Sequence, residues 1–475
     1  MRRRTFLTAA GATAVGLAGA SSTAAQEGTP IPNPNAYLTN SQLTRRLKLL
    51  NAESDLVSLR PIGRSACRND PIWEVTVGEG ETNVHLITQI HGDEPAGTEA
   101  ALVVLRQMTA EPDEFEAVLD ELTITIVPRV NPDGAMYGFD ADGDGDRDRV
   151  TRRQNVQPWS KRDSLYEPYY HYASGEDFPY APENPPLGYD MNRDFNIRTD
   201  LDAGDVPEEW WTSAEEDGET VWQVDQPYEG YTLSASGLRL APEVRAVTES
   251  FLRADPDYAI THHHQGIASV PDTEPPEPSL LSVMAAFGPS YLEQAPFYDG
   301  EGPVEDAVNP FIDRETSERS LRLNRLVADR LAETTEPWDD AFDDTTRYGY
   351  ATLWGSYLDA LCPQTGAAGM LYEISGQSDA AGSRAYGLKV EASRVGFLET
   401  FEALAADPTL SSVDAGSYFD IPLKGEDIET PPPAGRGRSG PSTAPTKAGP
   451  ASGTARARDA TTSFDDRLRR ILRAD

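Results

Sequence analysis

Six histidines occur in the 475 residues, and four of them fall in two short segments, His91-Gly92-Asp93-Glu94-Pro95 and Thr261-His262-His263-His264-Gln265. Imidazole nitrogen and carboxylate oxygen are zinc donors, and a catalytic zinc takes three protein ligands while leaving a position for water. His91 and Glu94, three apart on a strand-to-helix turn, can both point at one site, because Gly92 permits a tight bend and Pro95 suits a first helical turn. A third donor is then required, and the histidine tract is its source. On an extended segment alternate residues share a face, so either His263 or the pair His262 and His264 points into the site.

Three further segments carry polar chemistry. Asn131-Pro132-Asp133-Gly134 reads as a turn just beyond a strand. Asp190-Met191-Asn192-Arg193-Asp194-Phe195 offers an amide and a guanidinium fork suited to a carboxylate, although an internal ion pair explains the arginine equally well. Tyr372-Glu373-Ile374-Ser375-Gly376 ends an apolar run with a carboxylate, which is costly there without a partner or a task.

In this order the five motifs resemble the zinc carboxypeptidase A family, over about residues 37–407. The resemblance implies one Zn²⁺ per chain held by His91, Glu94 and His263, with Asp190 orienting His91. It further implies that Asn192 and Arg193 grip the terminal carboxylate of a peptide substrate. Glu373 would take a proton from the zinc-activated water and return it to the leaving amine. A cation for the oxyanion is expected at Arg153, with Arg152 close behind. Tyr348 is named as the substrate-side tyrosine, in competition with Tyr350 and Tyr357. Asp194, beside Arg193 where the family often has a neutral residue, puts strict C-terminal specificity in doubt. A zinc amidohydrolase that deacylates N-acyl amino acids is the nearest alternative, since its metal motif also reads His-Gly-x-Glu-Pro; Asn-Pro-Asp-Gly and the aromatic insertions favour the peptidase. A non-catalytic exported binding protein on the same fold has no need of Glu373.

The elements that must position these residues follow from apolar periodicity. Helical stretches are expected near 41–51, 97–108, 241–253, 318–333 and 391–405, and strands at 72–77, 84–90, 122–127, 258–260 and 369–374. Strand, helix and strand at this spacing predict one α/β domain over residues 37–428, a mixed central sheet flanked by helices. Two long insertions, 138–187 and 200–236, interrupt it and are read as walls of a substrate cleft.

Outside that domain, Arg2-Arg3-Arg4-Thr5-Phe6-Leu7 followed by a short apolar run resembles a twin-arginine signal over residues 1–25, which implies a secreted protein. Residues 429–462 have the composition of a disordered linker, and 463–475 could form a short helix. The formal charge of −37 excludes nucleic acid as a partner and reads as salt adaptation, because molar salt screens such self-repulsion. No mature segment reaches the ~20 apolar residues of a membrane span, and a monomer is expected. Cys67 and Cys362 allow at most one disulfide. The run Asp140-Ala141-Asp142-Gly143-Asp144-Gly145-Asp146-Arg147-Asp148 resembles a Ca²⁺ loop, but Thr151 stands where the usual twelfth-position Glu belongs.

Overall fold

Near-continuous apolar strands such as Leu122-Thr-Ile-Thr-Ile-Val127 can be buried on both faces only in a sheet covered by helices on each side. The computed structural model shows that sheet. It describes residues 37–139, 148–149, 151–156, 190–197, 199, 209, 211–216, 219–228, 231–235, 240–294, 308–334, 342, 344–350, 355–376 and 383–428. In chain order the elements are α1 (Asn40–Glu53), β1 (Val57–Arg64), β2 (Pro71–Val77), β3 (Thr82–Thr88), α2 (Ala96–Ala110), α3 (Glu116–Glu121), β4 (Leu122–Val127) and α4 (Pro132–Ala135). There follow β5 (Gly138–Phe139), β6 (Asp148–Arg149), β7 (Trp211–Glu216), β8 (Glu219–Tyr228), β9 (Tyr231–Ala235), α5 (Pro242–Ala254) and β10 (Tyr258–Gln265). The last are β11 (Leu281–Ala285), α6 (Arg314–Ala332), β12 (Thr346–Arg347), α7 (Tyr357–Thr365), β13 (Ala368–Ser375) and α8 (Ser383–Ala406).

Eight strands form the main sheet in the order β1-β2-β4-β3-β10-β13-β11-β12. Its centre, β4-β3-β10-β13, is parallel, while β1-β2-β4 and β13-β11 pair antiparallel. The fold is therefore α/β with a mixed sheet, as the periodicity predicts. Every residue of β10 is buried, histidines included, because both faces of this central strand are covered. His262 faces Ser393 and Phe397 of α8, and α2 packs against α8 on that side. On the opposite face His85 of β3 meets Phe251 of α5 and Tyr357 of α7.

The sheet extends beyond the sequence reading at both ends. Strands β1, β11 and β12 were not anticipated, and β10 runs five residues beyond Ile260, through the whole histidine tract. Within the insertions, β5 pairs with β6, and β7, β8 and β9 form a separate three-stranded antiparallel sheet. The edge strand β12 is covered by the chain after α8: Arg347 N–H donates to Pro422 O at 2.8 Å and Lys424 N–H to Arg347 O at 2.9 Å. The possible disulfide is absent, since Cys67 is exposed, Cys362 is buried and both are free. Among the described residues no helix is long and apolar enough to cross a membrane. The segments 1–25, 429–462 and 463–475 and the aspartates 140–146 lie outside the described residues.

Candidate active site

β3 ends at Thr88, and the chain turns at Gln89, a non-glycine residue held at φ +52°. Such a conformation costs ~1–2 kcal/mol and needs fixed surroundings. They are supplied by the Gln89 amide, whose Nε2 donates to Gly92 O at 2.8 Å. Its Oε1 accepts from Thr98 Oγ1 and Arg129 Nε, both at 2.7 Å. The following Gly92 lies backbone against backbone on Gly134, so that a Cβ there would sit 2.2 Å from the Gly134 carbonyl carbon. The Asn-Pro-Asp-Gly segment is thus more than a turn. Asn131 Oδ1 accepts from Gly134 N–H at 2.7 Å, and its Nδ2 donates to Arg153 O at 3.1 Å. Gly92 N–H donates to the same carbonyl at 3.2 Å. Asp133 accepts from Ser65 Oγ, Cys67 N–H and Arg68 N–H at 2.9, 2.7 and 3.0 Å, fixing the adjacent loop.

This scaffold delivers His91 and Glu94 to a point that β10 supplies with His263. His91 Nδ1 lies 2.8 Å from Glu94 Oε1, His263 Nδ1 lies 3.0 Å from Glu94 Oε2, and the two Nδ1 atoms are 3.2 Å apart. All three side chains are buried. Donors that each bind one tetrahedral ion at about 2.0–2.1 Å stand roughly 3.3 Å from one another. The observed spacings of 2.8–3.2 Å fit that donor set. The far nitrogens are also held: His91 Nε2 faces Asp190 Oδ1 at 3.2 Å, and His263 Nε2 faces Thr261 Oγ1 at 3.0 Å. Burial pushes the Glu94 carboxyl above its ordinary range, against the opposing pull of His91. A cation among these donors would favour the ionised carboxylate and neutral imidazoles.

The register of the sheet decides the histidine tract. His263 pairs with Glu373 across β10 and β13, and register partners in neighbouring strands share a face. Glu373 is half-buried, and its backbone carbonyl accepts from Gln265 Nε2 at 3.2 Å. His262 and His264 point to the other face. There His262 Nε2 meets Ser393 Oγ at 2.7 Å, and His264 Nε2 accepts from Ala96 N–H at 3.2 Å. Burial pushes His262 down to about 3 and His264 well below the usual histidine range.

The other candidates are placed less uniformly. Arg153 Nε donates to Asp190 Oδ2 at 3.0 Å, and its Nη1 lies 3.8 Å from Glu94 Oε1, so the guanidinium borders the triad. Arg152 is buried instead over the Tyr137 ring at 4.9 Å. Asn192 N–H donates to Asp190 Oδ1 at 3.1 Å, and Asn192 Oδ1 accepts from Tyr357 N–H at 3.0 Å. The Arg193 backbone belongs to a short 3₁₀ turn, and its side chain lies outside the described residues. Asp194 is buried, with Oδ2 accepting from Ala241 N–H at 2.7 Å at the start of α5.

Tyr348 follows β12, three strands from β10, with the Lys424 ammonium 4.8 Å from its ring centre. Tyr350 donates to the Asp359 carboxylate, and Tyr357 OH meets His85 Nδ1 at 2.7 Å in the core. Sequence reasoning overlooked Gln89, Thr98 and Arg129. Their only signal is polarity beside an apolar strand.

The family model for zinc carboxypeptidases matches residues 43–272. Carboxypeptidase 2 of Trichophyton rubrum is 40% identical over 48 residues, a match spanning 10% of this chain and only 9% of that protein. Among solved structures, bovine thrombin-activatable fibrinolysis inhibitor in complex with tick carboxypeptidase inhibitor aligns with 15% identity over 78% of this chain and 98% of its own, at a TM-score of 0.46. Carboxypeptidase A from Helicoverpa armigera aligns with 14% identity over 79% and 75%, at a TM-score of 0.45.

Proposed function

We propose that this chain, which through residues 43–272 belongs to the zinc carboxypeptidase family, is a zinc-dependent carboxypeptidase that releases C-terminal residues from peptides. The observation that carries the reading is the convergence of His91 Nδ1, the Glu94 carboxylate and His263 Nδ1 in a buried setting, with Oε1 2.8 Å from His91 Nδ1, Oε2 3.0 Å from His263 Nδ1 and the two nitrogens 3.2 Å apart. His91, Glu94 and His263 would hold the ion. A zinc ion bound there supplies Lewis acidity, lowering the pKa of water towards ~7 and polarising a carbonyl.

The chain's own groups would do the rest. Glu373, in register beside His263, accepts the proton of the attacking water and returns it to the leaving amine. Asp190 holds His91 in one orientation through its contact with Nε2, and Thr261 does the same for His263. Arg153, bordering the triad and tied to Asp190, supplies positive charge where an oxyanion develops. Asn192 and Arg193 take the substrate carboxylate. Asp194, whose Oδ2 accepts from Ala241 N–H, stands next to Arg193, so the reading does not require strict C-terminal specificity. Tyr348 remains the substrate-side tyrosine of this reading; it would have to approach from the sheet edge.

The Arg2-Arg3-Arg4 head and the charge of −37 support export into a saline medium. The test is metal content, together with hydrolysis of blocked dipeptides and N-acyl amino acids in high salt, before and after chelation. Chelator-sensitive release of a C-terminal amino acid with about one zinc per chain is the expected result. Turnover of acyl amino acids alone would move the activity to deacylation, and zinc without turnover would leave a binding protein.

A further inference from the structure

We infer that His264 is a positioning residue for the proposed metal ligand Glu94, acting through the first turn of α2; the inference rests on the metal-centre reading above. Glu94 lies two residues before Ala96, the first residue of α2. The four leading N–H groups of a helix have no partner within it and usually take one from a capping side chain. Here the cap position is Pro95, which makes no side-chain hydrogen bond. Ala96 is fully buried, so water does not meet its N–H. The acceptor comes instead from another element: His264 Nε2, 3.2 Å away.

His262 completes the support. A Cβ on Gly97 would lie 2.7 Å from His262 Nδ1, so the first turn of α2 is pressed onto the outer face of β10 by both histidines. The same strand sends His263 to the opposite face, 3.0 Å from Glu94 Oε2. One three-residue tract therefore fixes both the third donor and the helix end that carries the second. With the Ala96 bond lost, the α2 terminus can shift along β10, and Glu94 shifts with it relative to His91 and His263. Partners that orient a metal ligand are typically worth 10–100-fold in metal affinity.

The test is zinc affinity by chelator competition for wild type, H264L and H264Q, with unfolding of each metal-free protein followed in parallel. Leu fills the buried volume without an acceptor, whereas Gln restores one. The expected result is an affinity loss of about tenfold or more for H264L and near-wild-type affinity for H264Q. Unchanged affinity in H264L, or equal loss in both variants, overturns the proposal. A measurement on the unmutated protein needs no variant to fold: the ¹⁵N resonance of His264 Nε2 must be that of an unprotonated acceptor, and a protonated Nε2 overturns the assignment. A wild type that binds no zinc overturns the metal centre and this inference together, whereas wild-type binding with unaltered H264L affinity overturns this inference alone.

Discussion

Gly92→Ala tests whether the active-site loop is positioned by backbone packing. The added Cβ would meet Gly134 C at 2.2 Å, Ala135 N at 2.5 Å and Arg152 O at 2.6 Å, all backbone atoms with no rotamer to yield. Ordinary contacts begin at 3.4 Å, so the His91–Glu94 turn and the Asn131–Gly134 turn must part by about 1.2 Å, and a misplacement of this size costs on the order of 100-fold in rate. Overpacking adds about 1–3 kcal/mol of destabilisation. The control is Gly387→Ala in α8, where nothing lies within 4 Å of the added carbon. That change should stabilise by about 0.5–1 kcal/mol through helix propensity. Urea unfolding of the metal-free proteins reads the stability, and kcat/KM on a blocked dipeptide with zinc competition reads the site. A Gly92→Ala protein within about threefold of wild type in both zinc affinity and kcat/KM would refute the reasoning.

Glu373→Gln should retain zinc and lose about 10²–10⁴-fold in kcat. His263→Ala should lose zinc as well, and His262→Ala should keep it; zinc retained by His263→Ala but lost by His262→Ala would reverse the facing of the tract. Burial raises the Glu243 carboxyl to about 7 from 4.5, although it accepts from Ala66 N–H and Asn155 Nδ2. The folded chain therefore holds a proton that the unfolded chain has lost, and this contribution is full below pH 4.5 and disappears as pH rises through about 7. Glu243→Gln should accordingly gain stability over wild type between pH 5 and pH 8, by on the order of 3 kcal/mol, and a pH-independent difference in urea midpoints counts against it. With a charge of −37, thermal midpoints should climb between 0.1 and 1 M KCl as the Debye length falls from ~10 to ~3 Å. A flat salt profile would count against salt adaptation.

How much of this was legible in the sequence depends on what each feature answers to. β4 is visible to the residue, because an apolar run between a helix and a turn has one reading. Strands β1, β11 and β12 are not. Only one residue of β1, Val57, is buried, β12 has two residues, and β11 gains its identity from pairing antiparallel with β13, nearly ninety residues later. Tyr348 depends on those strands, and its place at the sheet edge could not be read from its distance to Glu373 along the chain.

The histidine tract shows the limit most clearly. Alternation along a strand requires His263 to face away from His262 and His264, and that much is sequence information. Which face holds the site is not, since a central parallel strand buried on both sides carries no polarity contrast between its faces. The choice is made by partners far away in the chain. Ser393 and Ala96 take one face, His91 and Glu94 the other. The same tract therefore serves two different tasks: two imidazoles that hold helices without any ion, and one whose Nδ1 meets another histidine's Nδ1 at 3.2 Å. Glu94 offers one oxygen to each of these nitrogens, so the three side chains together present a set of donors that one cation would engage.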